Sequence, residues 1–519
     1  MTAVAIAATP SRVRTGWVVP ALVVITAVAV ARWATVPYIV GVFHDDGVYA
    51  LLARSIASGQ GFHYGHLPGA PAATHYPPLY PLVLAALWRV SPTFPDNVPA
   101  LLGLNAVLVG AAALGWWRFA TMRLVWPSGS AAAAALAATL AMPVLALAGA
   151  LLSEPLFLAL LWPTLLLSEH VADRADGARS LDVRTVGVGA LIGALMLVRT
   201  HAVALLLALL LALAMRRRWR TALIVGATAT LVQLPWLIWT VSATPRVVAQ
   251  LEGAYGSYAG WFVTGVRDAG IPFVTGTARV NALECWLLLQ DRFASGLPAP
   301  LPQLTLAIAI VALSVGAWSL GRRAAVTIAF LSIYFAIVLV WPYTPWRFAW
   351  AVWPLVALLV MEGVRVSWVR AGRWRAAVAI GAFVPALAFL RTELHAYATR
   401  GWRVPARQAS AQIIPVVTWV RAHAGVDDVV LTEGEPVVAL YTGRKAAPPV
   451  AFTAREFLAP PSRVEGEARL SAMLTAVQAR YVILLAAPMV RSANALAGRH
   501  PGLRPIAAVS TGVAYEVVP

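Results

Sequence analysis

Residues 185–220 read TVGVGALIGALMLVRTHAVALLLALLLALAMRRRWR: two apolar runs parted by Arg199-Thr200-His201 and closed by Arg216, Arg217, Arg218 and Arg220. About 30 residues separate Thr185 from Arg216. At about 1.5 Å per residue each half reaches only about 20 Å, short of a hydrocarbon core of about 30 Å. The turn at Arg199 must therefore lie below the membrane surface. Polar backbone at that depth is tolerated only against protein or a water-filled cavity. The stretch predicts a helical membrane fold with a cavity that opens outward at this turn.

The rest of the chain agrees. Of its 519 residues 60% are hydrophobic and 12% charged, with a mean hydropathy of +0.74, whereas soluble domains carry about 25% charged residues. Apolar runs of about 15–20 residues recur. Arginines cluster in the short loops between them: Arg12 and Arg14, Arg118 and Arg123, Arg216–Arg218, Arg322 and Arg323, and Arg370, Arg373 and Arg375. Cytoplasmic loops carry such an excess, so the net charge of +18 reads as topology, and no nucleic-acid partner is predicted. Lysine is reduced to Lys445, which fits a GC-rich bacterial genome. The lone Cys285 excludes intramolecular disulfides and CxxC metal sites. The run 17–36 is too long for a signal-peptide core and reads as a first span.

These patterns predict about eleven spans, near 17–36, 98–117, 130–149, 151–168, 185–198, 201–215, 221–241, 302–320, 324–341, 348–365 and 376–394. With the N-terminus cytoplasmic, every later arginine cluster falls inside. Residues 37–97 then form a large first outer loop, and 242–300 and everything beyond about 395 also lie outside. The segment 77–90 is apolar but short and reads as an interfacial or re-entrant helix. The chain divides into a transmembrane domain, 1–395, and a small extracytoplasmic α/β domain, 396–519. In the latter, 410–423 and 435–441 read as helices and 428–432, 480–485 and 514–518 as strands, with prolines at 448, 449, 460 and 461 in the loops.

Candidate chemistry collects in the predicted outer segments. Phe43-His44-Asp45-Asp46-Gly47-Val48-Tyr49 opens a stretch in which Val48, Leu51, Leu52 and Ile56 keep helical spacing, predicting an amphipathic helix on the membrane surface. Acids at its N-terminus serve as caps. Two adjacent acids beside His44 and Tyr49 at a cavity mouth also suit a general base for an acceptor hydroxyl, or a divalent cation. His75-Tyr76 stands before Pro77-Pro78, which fix the first turn of a helix. Glu154 sits at the outer end of an apolar hairpin, where it either caps a helix or carries function, since charge at membrane depth costs about 2.5–3.5 kcal/mol. Arg199, followed by His201, and Arg347 run against the charge bias; guanidinium groups there suit a phosphate, or snorkel to the interface. There is no Walker A loop, GxGxxG after a strand, HExxH or GxSxG. Energy for chemistry outside must arrive with the substrate.

Asp45-Asp46-x-x-Tyr49, Tyr76-Pro77-Pro78-Leu79-Tyr80-Pro81 and Ser153-Glu154-Pro155-Leu156-Phe157, in this order and on one side, resemble the GT-C membrane glycosyltransferases. The likeness, over roughly residues 15–365, is to the branch holding protein O-mannosyltransferases and the lipid A aminoarabinose transferases. It implies inverting transfer of a sugar from a polyprenyl-phosphate carrier to an acceptor (protein, lipid or glycan) at the outer face of a bacterial plasma membrane. Carried over, Asp45 matches the acid opening the first loop, a base or metal contact, and Asp46 the second acidic place. Glu154 falls on an acid of the second outer loop, a tentative metal partner of Asp45. Tyr49, His75, Tyr76, Glu154, Arg199, His201 and Arg347 fall to substrate, the arginines to the lipid phosphate. Some members bind a divalent metal and others do without. Two other readings share the cavity, a lipid or lipid-linked sugar flippase and a non-catalytic scaffold.

Overall fold

The computed structural model describes residues 16–35, 38–174, 181–499 and 502–518. Arg12 and Arg14 lie outside the described residues. Helices stand at all eleven positions expected for spans. Five are long and apolar enough to cross a membrane by themselves: Val98–Arg123, Glu154–Ala172, Trp219–Ser242, Leu301–Gly321 and the helix ending at Thr399. The pair Ser128–Thr139 and Met142–Ala148, bent by 58°, brings the number to six if it is counted as one span; Pro143, without an N–H, lies in the first turn of its second half. The chain is thus a multi-pass membrane protein.

Val183–Met196 and Val203–Met215 have only 14 and 13 residues. Their connecting turn is buried in the protein, with Arg199 and His201 each 8% exposed. Lipid gives helices no hydrophobic drive to associate, so close packing has to do it. The pair Leu301–Gly321 and Trp353–Arg370 shows how: a Cβ on Gly316 would lie 1.8 Å from the Leu359 carbonyl oxygen, and one on Gly363 would lie 1.7 Å from that of Ala312.

The helix Glu154–Ala172 fixes the two ends of the bundle. At one end Asp173 pairs with Arg123 at 2.6 Å and Arg216 at 3.4 Å, and Arg123 also reaches the Arg323 carbonyl. The other end, about 28 Å away along 19 residues, holds Glu154, the Arg199 turn and the first-loop acids. The clusters holding Arg123, Arg216 and Arg323 therefore lie at the end opposite the candidate site.

Two expectations are corrected. Residues 45–57 form the helix expected, Asp45–Ala57, but it does not lie on a surface: Asp46 to Ala53 are all buried. It is pressed between Leu79–Val90 and the C-terminal domain, and a Cβ on Gly47 would come within 2.6 Å of Pro436. Residues 242–300, for which no helix was expected, contain a 37-residue one, Tyr258–Ala294, kinked at Gly270. Its charges, among them Arg267, Asp268, Arg279 and Glu284, hide it from a search for apolar runs.

The C-terminal domain follows the helix Arg375–Thr399, so a division after 395 falls four residues before that helix ends. After the helix Val404–His423 come β1 (Val429–Thr432), β2 (Lys445–Ala447), β3 (Tyr481–Leu484), β4 (Leu503–Val509) and β5 (Gly512–Val517). They form one sheet in the order β2-β1-β3-β5-β4. β1 runs parallel to β2 and β3, while β5 is antiparallel to β3 and β4. Val430, Leu431, Val482, Ile483 and Leu484 are fully buried, as expected of strands covered on both faces. Three expected strands and two helices stand where the pattern put them. β2, β4 and the helices Arg463–Val477 and Ala487–Ala497 were not legible in it.

Candidate active site

A cavity of about 490 Å³ lies between the bundle and the C-terminal domain. From the bundle side Asp45, Tyr49, His75, Tyr76, Arg199, His201 and Arg347 line it. From the domain side come Glu433 and Glu435 after β1, Pro448 to Val450 after β2, and Met489 beyond β3. The carboxyl ends of all three parallel strands thus face one crevice, where ligands of open α/β sheets bind.

Arg347 organises the bundle wall. Its Nη1 donates to Asp45 Oδ2 and its Nε to Glu154 Oε1, with Nη2 at 3.4 Å from Glu154 Oε2. Arg199 Nη1 meets Glu154 Oε1 at 2.6 Å. Two arginines and two carboxylates make a neutral chain of charges, as burial requires. Glu154 is fully buried behind the arginines and is absent from the cavity lining. Tyr49 donates to Ser153 at 3.2 Å, which ties the first-loop helix to the turn before Glu154.

Asp45 also accepts from the Tyr76 hydroxyl at 2.7 Å, and His44 Nδ1 lies 3.7 Å away. Burial pushes its carboxyl up, yet Arg347, His44 and Tyr76 together hold it well below the usual carboxylate range. His44 is pulled down by burial, but Glu435 and Asp45 raise it to about 10. Asp46 is different. It is fully buried, accepts the N–H of Gly41 at 2.8 Å and of Phe43 at 3.0 Å, and does not line the cavity. Burial raises its pKa against those backbone N–H groups. The adjacent acids therefore part: Asp45 faces the cavity, while Asp46 closes the turn that carries it.

His75 lines the cavity as a neutral ring. Burial drives it down to about 4, its Nδ1 lies 2.6 Å from the Gly256 carbonyl, and its ring packs against that of Tyr258 at a tilt of 40°, centroids 3.7 Å apart. The metal reading rests on Asp45 and Glu154. Asp45 and Glu154 are both engaged by Arg347, and among the described residues no three His, Cys, Asp or Glu come together to hold a metal ion. The donors present do not fit a dication.

Residues the sequence reading passed over complete the site. Glu435 Oε1 accepts from Tyr255 at 2.8 Å and lies 2.8 Å from His44 Nε2. Tyr258, Trp341, Tyr343, Trp346, Phe348 and Phe452 add aromatic walls. The available signal was Glu433-Gly434-Glu435 directly after a predicted strand. Arg199 Nε and His201 Nε2 are buried with no hydrogen-bond partner among the described residues, unusual for a finished protein wall.

No family model matches the chain, and no curated protein sequence matches it. Solved structures do. Archaeal oligosaccharyltransferase AglB from Archaeoglobus fulgidus, in complex with an inhibitory peptide and a dolichol-phosphate, superposes with a TM-score of 0.54 at 14% identity, covering 91% of this chain and 70% of that one. The Archaeoglobus fulgidus oligosaccharyltransferase with Zn and sulfate gives 0.53 at 14% identity, covering 96% and 74%. ArnT from Cupriavidus metallidurans bound to undecaprenyl phosphate gives 0.48 at 14% identity, covering 97% and 98%. Over nearly its whole length, the chain has the fold of the GT-C membrane glycosyltransferases.

Proposed function

We propose that the chain is a membrane glycosyltransferase that moves a sugar, with inversion, from a polyprenyl-phosphate carrier to an acceptor hydroxyl. The observation that carries this reading is the Asp45–Arg347–Glu154–Arg199 chain on the wall of a cavity at one end of the bundle. It sets a carboxylate beside two guanidinium groups, the pair of functions that displacement of a phosphate needs. The partnerless Arg199 Nε and His201 Nε2 supply further contacts for an anion. The oligosaccharyltransferase of the same fold was solved with a dolichol-phosphate.

In the reaction, Asp45 takes the proton of the acceptor hydroxyl. The oxygen attacks the anomeric carbon from the face opposite the carrier, the bond from that carbon to the phosphate oxygen breaks, and the phosphate leaves with the electron pair. Arg347 and Arg199 hold its charge. At rest Arg347 is paired with the base itself, so the carrier phosphate has to draw Arg347 away before Asp45 is free to act. Donor binding thereby precedes activation of the acceptor.

The same reading takes all eleven helices as crossings, with the arginine clusters cytoplasmic and the cavity and C-terminal domain on the outer face of a bacterial plasma membrane. The test is transfer of labelled sugar from bacterial polyprenyl-phosphate sugars in membranes carrying wild type or Asp45→Asn. Transfer by the wild type and none by an inserted Asp45→Asn is the expected result. Equal transfer by both refutes Asp45 as base.

A further inference from the structure

The C-terminal domain reaches into the site through one side chain. Glu435 opens the helix Glu435–Thr442 and is 1% exposed. Its Oε1 is held by His44 Nε2 and by the Tyr255 hydroxyl, each at 2.8 Å. Its Oε2 is buried without a hydrogen-bond partner among the described residues, and the residue lines the cavity. A carboxylate serving only as a structural bridge would have both oxygens satisfied; an orphan oxygen at a cavity wall points to a ligand.

The partner of Glu435 is itself held in an uncommon conformation. His44 has φ 62 and ψ −68, and the Asp45 N–H donates across it to the Phe43 carbonyl at 2.8 Å. This is the rare γ-turn, strained for any residue with a side chain, and such strain persists only where surroundings enforce it. Here the enforcing contacts are Asp46, which pins Gly41 and Phe43, and Glu435, which fixes the ring. The ring then lies against the base: Nδ1 is 3.7 Å from Asp45 Oδ1 and 3.4 Å from the Tyr76 hydroxyl.

We propose that Glu435 is a positioning residue of the transfer reaction, which holds the His44 ring beside Asp45 so that the C-terminal domain completes the active site. The inference rests on the glycosyltransferase reading. Once the carrier phosphate has drawn Arg347 away, His44 is the neighbour that Asp45 keeps, and the orphan Oε2 of Glu435 accepts a substrate hydroxyl. The domain is then part of the machinery and not a cover over it.

The experiment compares wild type, Glu435→Gln, Glu435→Asp, His44→Gln and the double Glu435→Gln/His44→Gln variant in the full-length chain, reading kcat and donor KM for the labelled-sugar transfer. Glu435→Gln is expected to lower kcat about tenfold, with donor KM within about twofold. Glu435→Asp recovers part of the loss. The double variant is no worse than the poorer single variant, because the two residues act as one unit. Should Glu435→Gln fail to insert, His44→Gln and Glu435→Asp carry the comparison. A kcat within twofold of wild type for Glu435→Gln or His44→Gln, or losses that multiply in the double variant, overturns the proposal. If wild type transfers and Asp45→Asn does not while Glu435→Gln matches wild type, only this inference fails. Absence of transfer by the wild type with every carrier removes both.

Discussion

Arg347→Gln is the perturbation that asks most of the site. Arg347 is 19% exposed and faces Asp45, 25% exposed, and Glu154, fully buried. Removing one partner of a buried pair costs about 3–5 kcal/mol, because a charge is left uncompensated. Glu154 keeps Arg199 at 2.6 Å, so the stranded group is Asp45, which retains Tyr76 at 2.7 Å and some access to the cavity. We therefore expect the low end, about 3 kcal/mol at neutral pH. The sign with pH follows from Asp45, whose carboxyl is depressed in the folded protein. Its contribution is present above the unfolded value of about 3.9 and is lost as pH falls through the folded value. Arg347→Gln raises the folded value, so the gap to wild type is widest near pH 7 and closes in acid. Transfer per folded molecule falls about 10²–10³-fold, the loss expected for one donor to a developing anion. Arg347→Lys keeps the charge without the fork that spans two carboxylates, and recovers stability more than rate. Thermal unfolding in lipid nanodiscs at two pH values, with kcat on the same preparations, measures both. An inserted Arg347→Gln protein that transfers within threefold of wild type refutes the proposed role, whatever its stability.

Asp46→Asn removes a carboxylate that accepts two backbone N–H groups. It is expected to cost about 1–3 kcal/mol of stability, read by thermal unfolding, with a larger loss of folded protein than of turnover per folded molecule. His75→Asn is expected to leave the pH profile of transfer unchanged above pH 5, since the native ring, at about 4, is already neutral there; a lost inflection near pH 6–7 would contradict this. A chelator is expected to leave transfer intact, because Asp45 and Glu154 are bound to arginine; loss of activity restored by a dication would overturn that. Gly316→Ala would drive a methyl group against the Leu359 carbonyl and is expected to cost about 3 kcal/mol, seen as a lower unfolding temperature with donor KM unchanged.

What the sequence disclosed depended on what its patterns encode. Helix positions were legible because a bilayer imposes length and apolarity on each helix separately, and the Arg199 turn because two apolar runs break there. The helix Tyr258–Ala294 was not, since its charges and its break at Gly270 remove the uniform apolar signal. The acids at 45 and 46 were legible as a pair but not as opposites. Helix N-termini attract carboxylates in general, and only the turn at Gly41–Phe43 decides which side chain folds inward.

Glu435 shows the limit most sharply, because its role arises between domains. A local pattern places it at the start of a helix after a strand, where an acid is an ordinary favourable choice. Nothing within that pattern says that His44, 391 residues earlier, lies 2.8 Å away. The link is carried by packing: Gly47 admits Pro436, and the Tyr441 hydroxyl accepts the Val40 N–H at 3.1 Å. These contacts set the C-terminal domain on the first loop in one register. The same contacts that seat the domain also define the distance between Asp45 and the far wall of the cavity. Shifting the seat, for instance with Gly47→Val, should therefore disturb the chemistry without touching any charged group.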